Sequence, residues 1–402
     1  MKFGLMSYDY TTNLGNEIQS IAARRFLPEI DYYIDHEQLD IFKSSENVKM
    51  IMNGWYLDCL KSWPPSDSIE PLLISMHFTS TINDTKSVIS SKESKDFFSS
   101  YGPVGCRDYA TVELLNELDI DNYYSGCLTL TLDNDKKKGN DDYSYIVVNV
   151  ANSKEVINYL KTKTDMDIYD IHQESVFSFD QKYLDNMPVS YDLTSFYDCH
   201  DKFFIAENLL KIYENAHCVI TDRVHCAFPC LAFNTPVLFF NSANFAPERF
   251  GGINELVLES NFEEYKHNYD IFDVENPPKN KKDYLKIRKS LISKTKKFTG
   301  HMANSYESSY SDEKIRNYQL SLLTDMARGS IDYMYGVINL SKKYETEISN
   351  QKDMINNQKQ IIDSLNNDIN NQNQLINEMQ NSNSWKLTYP LRKINHFLKN
   401  LR

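Results

Sequence analysis

The sequence predicts an α/β protein of two doubly wound domains, followed by a helical tail. Three observations carry that prediction. Short apolar runs alternate with helical patterns on both sides of a polar segment at 133–142. Strand, polar turn, helix and strand follow one another without a break over 218–240. Isoleucines at 348, 355, 362, 369 and 376 repeat with a heptad period.

The bulk numbers bound what such a chain does. At 402 residues, with 41% hydrophobic and 13% aromatic content, it has enough apolar mass for two full cores and an appendage. A net charge of −13 argues against general nucleic-acid binding, which needs a basic surface to neutralise phosphates. The seven cysteines are scattered and odd in number, with no Cys-x-x-Cys pair, so neither a disulfide framework nor a zinc site is indicated. A reduced, cytosolic compartment fits this usage. No secretory leader opens the sequence, and no apolar run approaches the ~20 residues that span a bilayer.

Taken in order, residues 2–7 read as a first strand. The turn Thr11-Thr12-Asn13-Leu14-Gly15-Asn16-Glu17 leads into a helix over 17–26, with Ile18, Ile21, Ala22 and Phe26 on one face. Asn13 and Gly15 tolerate left-handed dihedrals and expose backbone N–H groups, which suits close approach of a ligand. Asn53-Gly54-Trp55 and Ser62-Trp63-Pro64-Pro65 flank a loop, and 72–76 reads as a strand with His77 just past its end. Residues 101–108 read as a strand feeding a helix over 109–118, in which Ala110, Leu114 and Leu115 point inward. Arg107 there suits either an anion or a local pair with Asp108. The alternation at 125–130 suggests a strand or an extended cleft segment.

Beyond the linker, strands are expected at 145–150 and 167–171, and helices at 153–163 and 207–215. The apolar run 218–220 then ends at Thr221-Asp222, a pair able to cap a helix start. Arg223 and His225 follow, and an apolar helix runs through Ala227, Phe228, Leu231 and Ala232 until Asn234 and Pro236 stop it. Ligands of such βαβ units sit at the carboxyl ends of the strands. An Arg and a His beside a helix N-terminus at that edge make an anion site holding a proton donor. The same pair also suits plain structural hydrogen bonding.

Residues 279–297 read as a helix with one apolar stripe and a Lys-rich outer face. Residues 312–334 continue helically. In the heptad stretch the positions three residues after each Ile are mostly Gln, so a coiled coil there is a weak seam that serves as spacer or oligomerisation stalk, with Asn/Gln-rich disorder as the alternative. The chain closes with Ser384-Trp385-Lys386-Leu387-Thr388-Tyr389-Pro390-Leu391-Arg392-Lys393 and a basic amphipathic helix, a pattern that fits a bilayer interface and equally a helix docked on the protein's own surface.

Three stretches together carry a family resemblance. Thr221-Asp222-Arg223-Val224-His225, with its small-apolar helix and Asn234-Thr235-Pro236-Val237-Leu238-Phe239-Phe240, resembles the signature of the polysaccharide pyruvyl transferases. Asn13-Leu14-Gly15-Asn16 is similar to that family's Asn-x-Gly-Asp/Asn loop, with Asn16 where others carry a carboxylate. Gly105-Cys106-Arg107-Asp108 resembles its Gly-x-Arg-Asp element, and Arg249-Phe250 its Arg-Phe pair. The closing segment also resembles the tail of many bacterial glycan-assembly glycosyltransferases.

The residues themselves bound two Rossmann-like domains at 1–135 and 143–300, a helical return segment at 301–338, a coiled coil at 339–383 and a basic tail at 384–402, and the resemblance implies that the two domains are arranged in a GT-B-like way. It implies phosphoenolpyruvate as donor and a pyruvate ketal on a glycan as product, with fixed cations rather than a metal or cofactor. Arg223 and His225 are then the expected clamp and general acid. Arg107, Arg249, Asn13, Gly15, Asn16 and, from its strand end, His77 are the expected substrate contacts. The expected partners are a glycan acceptor, free or lipid-linked, a second copy of the chain through the coiled coil, and a membrane surface on the cytoplasmic face. Two rivals stand beside this reading: a nucleotide-sugar glycosyltransferase of the same architecture, and a non-catalytic scaffold that gathers glycan enzymes at a membrane.

Overall fold

In a computed structural model, the chain is described apart from residues 9–10, 12, 57–61, 80–83, 134–144, 172–198, 242–250, 253–254, 307–311 and 401–402. For 199–201, 312–343 and 345 only the backbone is described. The linker read at 133–142 and the loop carrying Arg249 therefore lie largely outside the described residues. Two units emerge, Met1–Leu323 and Thr324–Arg402.

The first unit holds two parallel sheets. One comprises β1 (Lys2–Ser7), β2 (Tyr32–Asp35), β3 (Val48–Tyr56), β4 (Ile69–Phe78), β5 (Val104–Cys106) and β6 (Asn122–Tyr124), in the order β2-β1-β3-β4-β5-β6. Its connections include α1 (Gly15–Arg24), α2 (Thr85–Ile89), α3 (Lys92–Tyr101) and α4 (Tyr109–Glu117). The other sheet is built from β7 (Tyr145–Asn149), β8 (Asp167–Asp170), β9 (Cys218–Thr221), β10 (Val237–Phe240) and β11 (Leu258–Ser260), in the order β11-β10-β9-β7-β8. Helices α5 (Ser153–Leu160), α6 (Cys199–Asn215), α7 (Val224–Phe233), α8 (Phe262–His267) and α9 (Tyr284–Thr299) accompany it.

Both sheets share one topological event. After the first strand the chain adds a neighbour on one side, then crosses back to continue on the other. The strand order therefore reverses between β1 and β3 in the first sheet and between β7 and β9 in the second. A crevice opens at such a point because successive helices leave to opposite faces. The cores explain why the strands read as continuous apolar runs. Ile146, Val148, Cys218, Ile220 and Leu238 are fully buried in one cluster, and Met50, Met52, Leu73, Met76 and Val104 are buried in another. Each fully buried aliphatic side chain contributes roughly 1.5–3 kcal/mol.

Several boundaries differ from the sequence reading. Helix α1 begins at Gly15, so Gly15 and Asn16 open the helix instead of preceding it. Asn53, Gly54 and Trp55 lie inside β3, not at a loop edge, and His77 lies within β4. The stretch read as extended over 125–130 instead ends in a short 3₁₀ turn, Leu128–Thr131, and the strand precedes it as β6. Its apolar residues are buried because the turn packs between α1, α7 and α9, not because they alternate in a sheet.

One helix belongs to both halves. α1 follows the first strand of the first sheet, yet it packs on α6 and α7 of the second. Arg24 near its end pairs with Glu207 of α6 at 2.7 Å, and Arg25 donates to the carbonyl of Asn304 at 2.6 Å.

The second unit lies within a continuous helix, α10 (Asp312–Asn381), then α11 (Asn383–Leu387) and α12 (Tyr389–Lys399). Ile348, Ile355, Ile362, Ile369 and Ile376 are all exposed along α10. Among the described residues no helix is long and apolar enough to cross a membrane.

Candidate active site

The two order reversals carry most of the residues singled out in the sequence. In the first half, Asn13 folds the β1–α1 loop. Its side-chain carbonyl accepts the Gly15 N–H at 2.9 Å, and its backbone carbonyl accepts the Asn16 N–H at 3.0 Å. Thr11 Oγ1 in turn accepts the Asn13 N–H at 3.1 Å. This turn satisfies two N–H groups at the head of α1 that the helix itself cannot.

In the second half, Thr221 and Asp222 do not cap the helix by side chain, as their position suggested. Arg223 is the N-cap, with extended backbone at φ −105° and ψ 122°. Thr221 Oγ1 donates to the Asn149 carbonyl at 2.9 Å and accepts the Arg223 N–H at 3.0 Å. The Asp222 N–H donates to that same carbonyl at 3.2 Å, and its carboxylate accepts the Ala151 N–H at 2.9 Å. The β9–α7 corner is thus fastened to the end of β7, across the point where the strand order reverses. Asp222 Oδ1 also lies 3.1 Å from Arg223 Nε, which fixes one edge of a guanidinium that is 34% exposed.

These two corners meet. A Cβ built on Gly15 would lie 2.8 Å from His225 Nδ1, 3.3 Å from His225 Cβ and 2.9 Å from Asn13 Oδ1. Only hydrogen fits on that face of Gly15, so the first residue of α1 rests directly against the second residue of α7. The amino-terminal ends of two helices therefore converge on one imidazole, which is 9% exposed. Each such end carries about half a positive charge, offset at α1 by the buried Glu17 of its first turn and by the two N–H groups already given to Asn13. Anionic ligands are favoured at such a meeting point. Pro229 adds a local feature within α7. It has no N–H to donate to the carbonyl four residues earlier, which is that of His225.

Arg107 and His77 belong to a buried cluster of the first half. His77 Nδ1 lies 2.6 Å from Asp108 Oδ2, with His77 1% exposed and the Trp55 ring edge-on to it. Asp108 caps α4 by accepting the Thr111 N–H at 3.0 Å and its hydroxyl at 2.8 Å. Burial pushes the Asp108 carboxyl up. The His77 hydrogen bond and charge, the Arg107 guanidinium and Thr111 outweigh that effect and hold it below the usual carboxylate range. Arg107 is 3% exposed and donates to Gln19 Oε1 at 3.3 Å. Asn53 donates to the Gln19 carbonyl at 2.8 Å, and Gln19 reaches Asn16 at 3.5 Å. Arg107 thus reaches the Asn13–Asn16 turn through α1. Arg249 lies outside the described residues.

One participant escaped the sequence reading. Lys202 of α6 is 1% exposed, and its ammonium donates to the backbone carbonyls of Tyr8 and, at 2.9 Å, Thr11. A cation from the second half therefore holds the loop that presents Asn13 and Gly15.

A family model for polysaccharide pyruvyl transferases matches residues 13–244. The chain belongs to that family. The match begins at Asn13 and takes in Gly15, Asn16, His77, Arg107, Arg223 and His225, whereas Arg249 falls past its end. Membership in the polysaccharide pyruvyl transferases makes it a member of a transferase family. No curated protein gave a significant match. Among solved structures, the chain is similar to an uncharacterized protein of Klebsiella pneumoniae, at 14% identity and TM-score 0.40, covering 63% of this chain and 88% of that one. It is also similar to S. aureus MnaA in a structure with UDP, at 12% identity and TM-score 0.35, covering 81% and 98%. The calicheamicin glycosyltransferase CalG4 follows at 13% identity and TM-score 0.22, covering 72% and 67%. These likenesses are too distant to bear on the chemistry.

Proposed function

We propose that this polysaccharide pyruvyl transferase moves the enolpyruvyl group of phosphoenolpyruvate onto a sugar of a surface polysaccharide or its lipid-linked precursor, forming a pyruvate ketal. The supporting observation is the contact of Gly15 with His225, which joins two separate family stretches at one anion-favouring edge. The donor carries a carboxylate and a phosphate. Arg223 offers a planar fork for one of them, and the head of α7 offers partial positive charge for the other.

The reaction needs a proton at the methylene carbon while a sugar hydroxyl attacks the neighbouring carbon. His225 supplies that proton as general acid, and the imidazole so formed takes the proton of the attacking hydroxyl. The C–O bond to phosphate then breaks and inorganic phosphate leaves with the bonding pair. A second hydroxyl of the same sugar adds to the resulting cation, loses its proton and closes the ring. Atoms balance as donor plus diol giving ketal plus phosphate.

The test is to incubate the full chain with phosphoenolpyruvate and galactose-, mannose- or N-acetylhexosamine-bearing acceptors, following phosphate release. Acceptor-dependent release that is lost in His225→Ala supports the reading. Release from a nucleotide sugar instead, with none from phosphoenolpyruvate, overturns it in favour of a glycosyltransferase. His225→Ala with full turnover removes His225 from the mechanism.

A further inference from the structure

The end of the second unit combines three features that no part of the pyruvyl transfer chemistry uses. α12 is amphipathic: Leu391, Ile394 and Leu398 recur at helical spacing, Phe397 lies beside them, and all four are more than half exposed. The remaining face carries Arg392, Lys393, His396 and Lys399. Charge is segregated along the chain as well. After Glu378 there is no acidic residue, whereas Lys386, Arg392, Lys393, Lys399 and Arg402 are cations, in a protein whose overall charge is −13.

The third feature is a built corner. Ser382 caps α11 by accepting the Trp385 N–H at 3.2 Å, and Pro390 stands at the start of α12. Arg392 folds back across the corner. Its guanidinium lies 3.7 Å from the centre of the Trp385 ring, donates to the Trp385 carbonyl at 2.5 Å and reaches the Thr388 hydroxyl at 2.6 Å. Trp385 is thereby held next to the amphipathic helix, with Leu387 and Tyr389 exposed between them.

We infer that α11 and α12 form a docking element for an anionic phospholipid surface, lying in the interface plane without crossing it. Charge complementarity selects this occupant. A second copy offers the exposed isoleucine seam of α10, but that seam is flanked mostly by uncharged Asn and Gln and sets few acids against the cations of α12. An anionic bilayer offers both an apolar bed and negative charge within a few ångströms of depth. Tyr and Trp, with one apolar and one polar end, prefer the headgroup level. The element acts independently of which group the enzyme transfers, so it stands or falls separately from the pyruvyl transfer reading.

The test uses the full chain and sedimentation with vesicles of phosphatidylcholine alone or with phosphatidylglycerol. Binding to the mixed vesicles, at least 10-fold weaker on the neutral ones and weakened again by molar salt, is expected. Ile394→Glu with Leu398→Glu should abolish it. Arg392→Gln, Lys393→Gln and Lys399→Gln together should weaken it roughly 10- to 100-fold. Circular dichroism and gel filtration of each variant establish that the body is folded and the oligomer unchanged. Equal binding to neutral vesicles, no binding to either, or unaltered binding by the variants overturns the inference. So does a change in oligomeric mass in the Glu variant, because the face then packs against another copy.

Discussion

Gly15 lies so close to His225 that a methyl group on its Cα would sit 2.8 Å from the imidazole Nδ1. Real Cβ contacts do not occur at that distance, so Gly15→Ala must displace either the imidazole or the head of α1. An Ala there otherwise favours a helix by roughly 0.5–1 kcal/mol. We expect Tm to change by only a few degrees while turnover falls at least ~10-fold, as a misplaced catalytic group does. Phosphate release and a thermal melt on the same preparation check this. Unchanged turnover would show that the contact has no catalytic meaning.

His225→Gln should lose about 10²–10⁴-fold in kcat, with a thermal melt little altered; phosphate release and the melt on one preparation check both.

Arg223 tests the clamp. Lys keeps the charge but not the planar fork, and it cannot repeat the Nε contact with Asp222. Arg223→Lys is expected to raise KM for the donor roughly 10-fold, the size of one charge-assisted hydrogen bond. Arg223→Ala should cost more, with its defect growing at low salt. A defect confined to the acceptor's KM would move Arg223 to the other substrate.

Asp108 gives a stability signature with a defined sign. Its folded pKa is held below the ordinary value of 3.8. Its carboxylate therefore contributes stability that is fully present above that value and is lost as pH falls through the lower folded one. Asn keeps the cap on α4 but not the charge beside His77 and Arg107. Asp108→Asn should thus be destabilised by about 1.5–3 kcal/mol at neutral pH. The gap should narrow below pH 3.8 in denaturant melts across pH.

Lys202 is the fifth test. Lys202→Met fills much the same volume but leaves the Tyr8 and Thr11 carbonyls without its ammonium. A lost hydrogen bond to a charged group costs about 1.5–3 kcal/mol. A lower Tm and faster proteolysis near the β1–α1 loop are expected. If turnover falls in proportion to Gly15→Ala, Lys202 is a positioning residue for that loop. An unchanged KM and kcat at low temperature would leave it a purely structural group.

The residues themselves show what the sequence made visible. The β9–α7–β10 unit was legible because a fully buried parallel strand is a bare apolar run, and because Asn234 marks the helix end with a left-handed backbone at φ 61°. The strand β3 was not, since Val48–Tyr56 mixes Met, Asn and Gly without alternation, and its Gly54 is there to admit the Tyr8 hydroxyl. At the site, the Arg223–His225 corner and the Asn13–Asn16 turn were legible one by one. Their meeting was not, because Gly15 and His225 are far apart in sequence. Lys202 left no local signal at all: it lies ahead of the helix expected from 207, which α6 extends back to Cys199, and its two carbonyl partners lie in another half of the fold. The roles of Thr221 and Asp222 were misread because capping residues and strand-bridging residues are the same short polar types.

The sharing of α1 between the two sheets has a consequence for how this enzyme admits its substrates. A wide hinge between the halves would have to slide α1 over α6 and α7 and tear Lys202 from the loop it grips. The imidazole and its glycine neighbour are consequently preset before any ligand arrives. Substrate entry therefore does not proceed by such a hinge, and groups placed in advance need no reorganisation when the reaction begins.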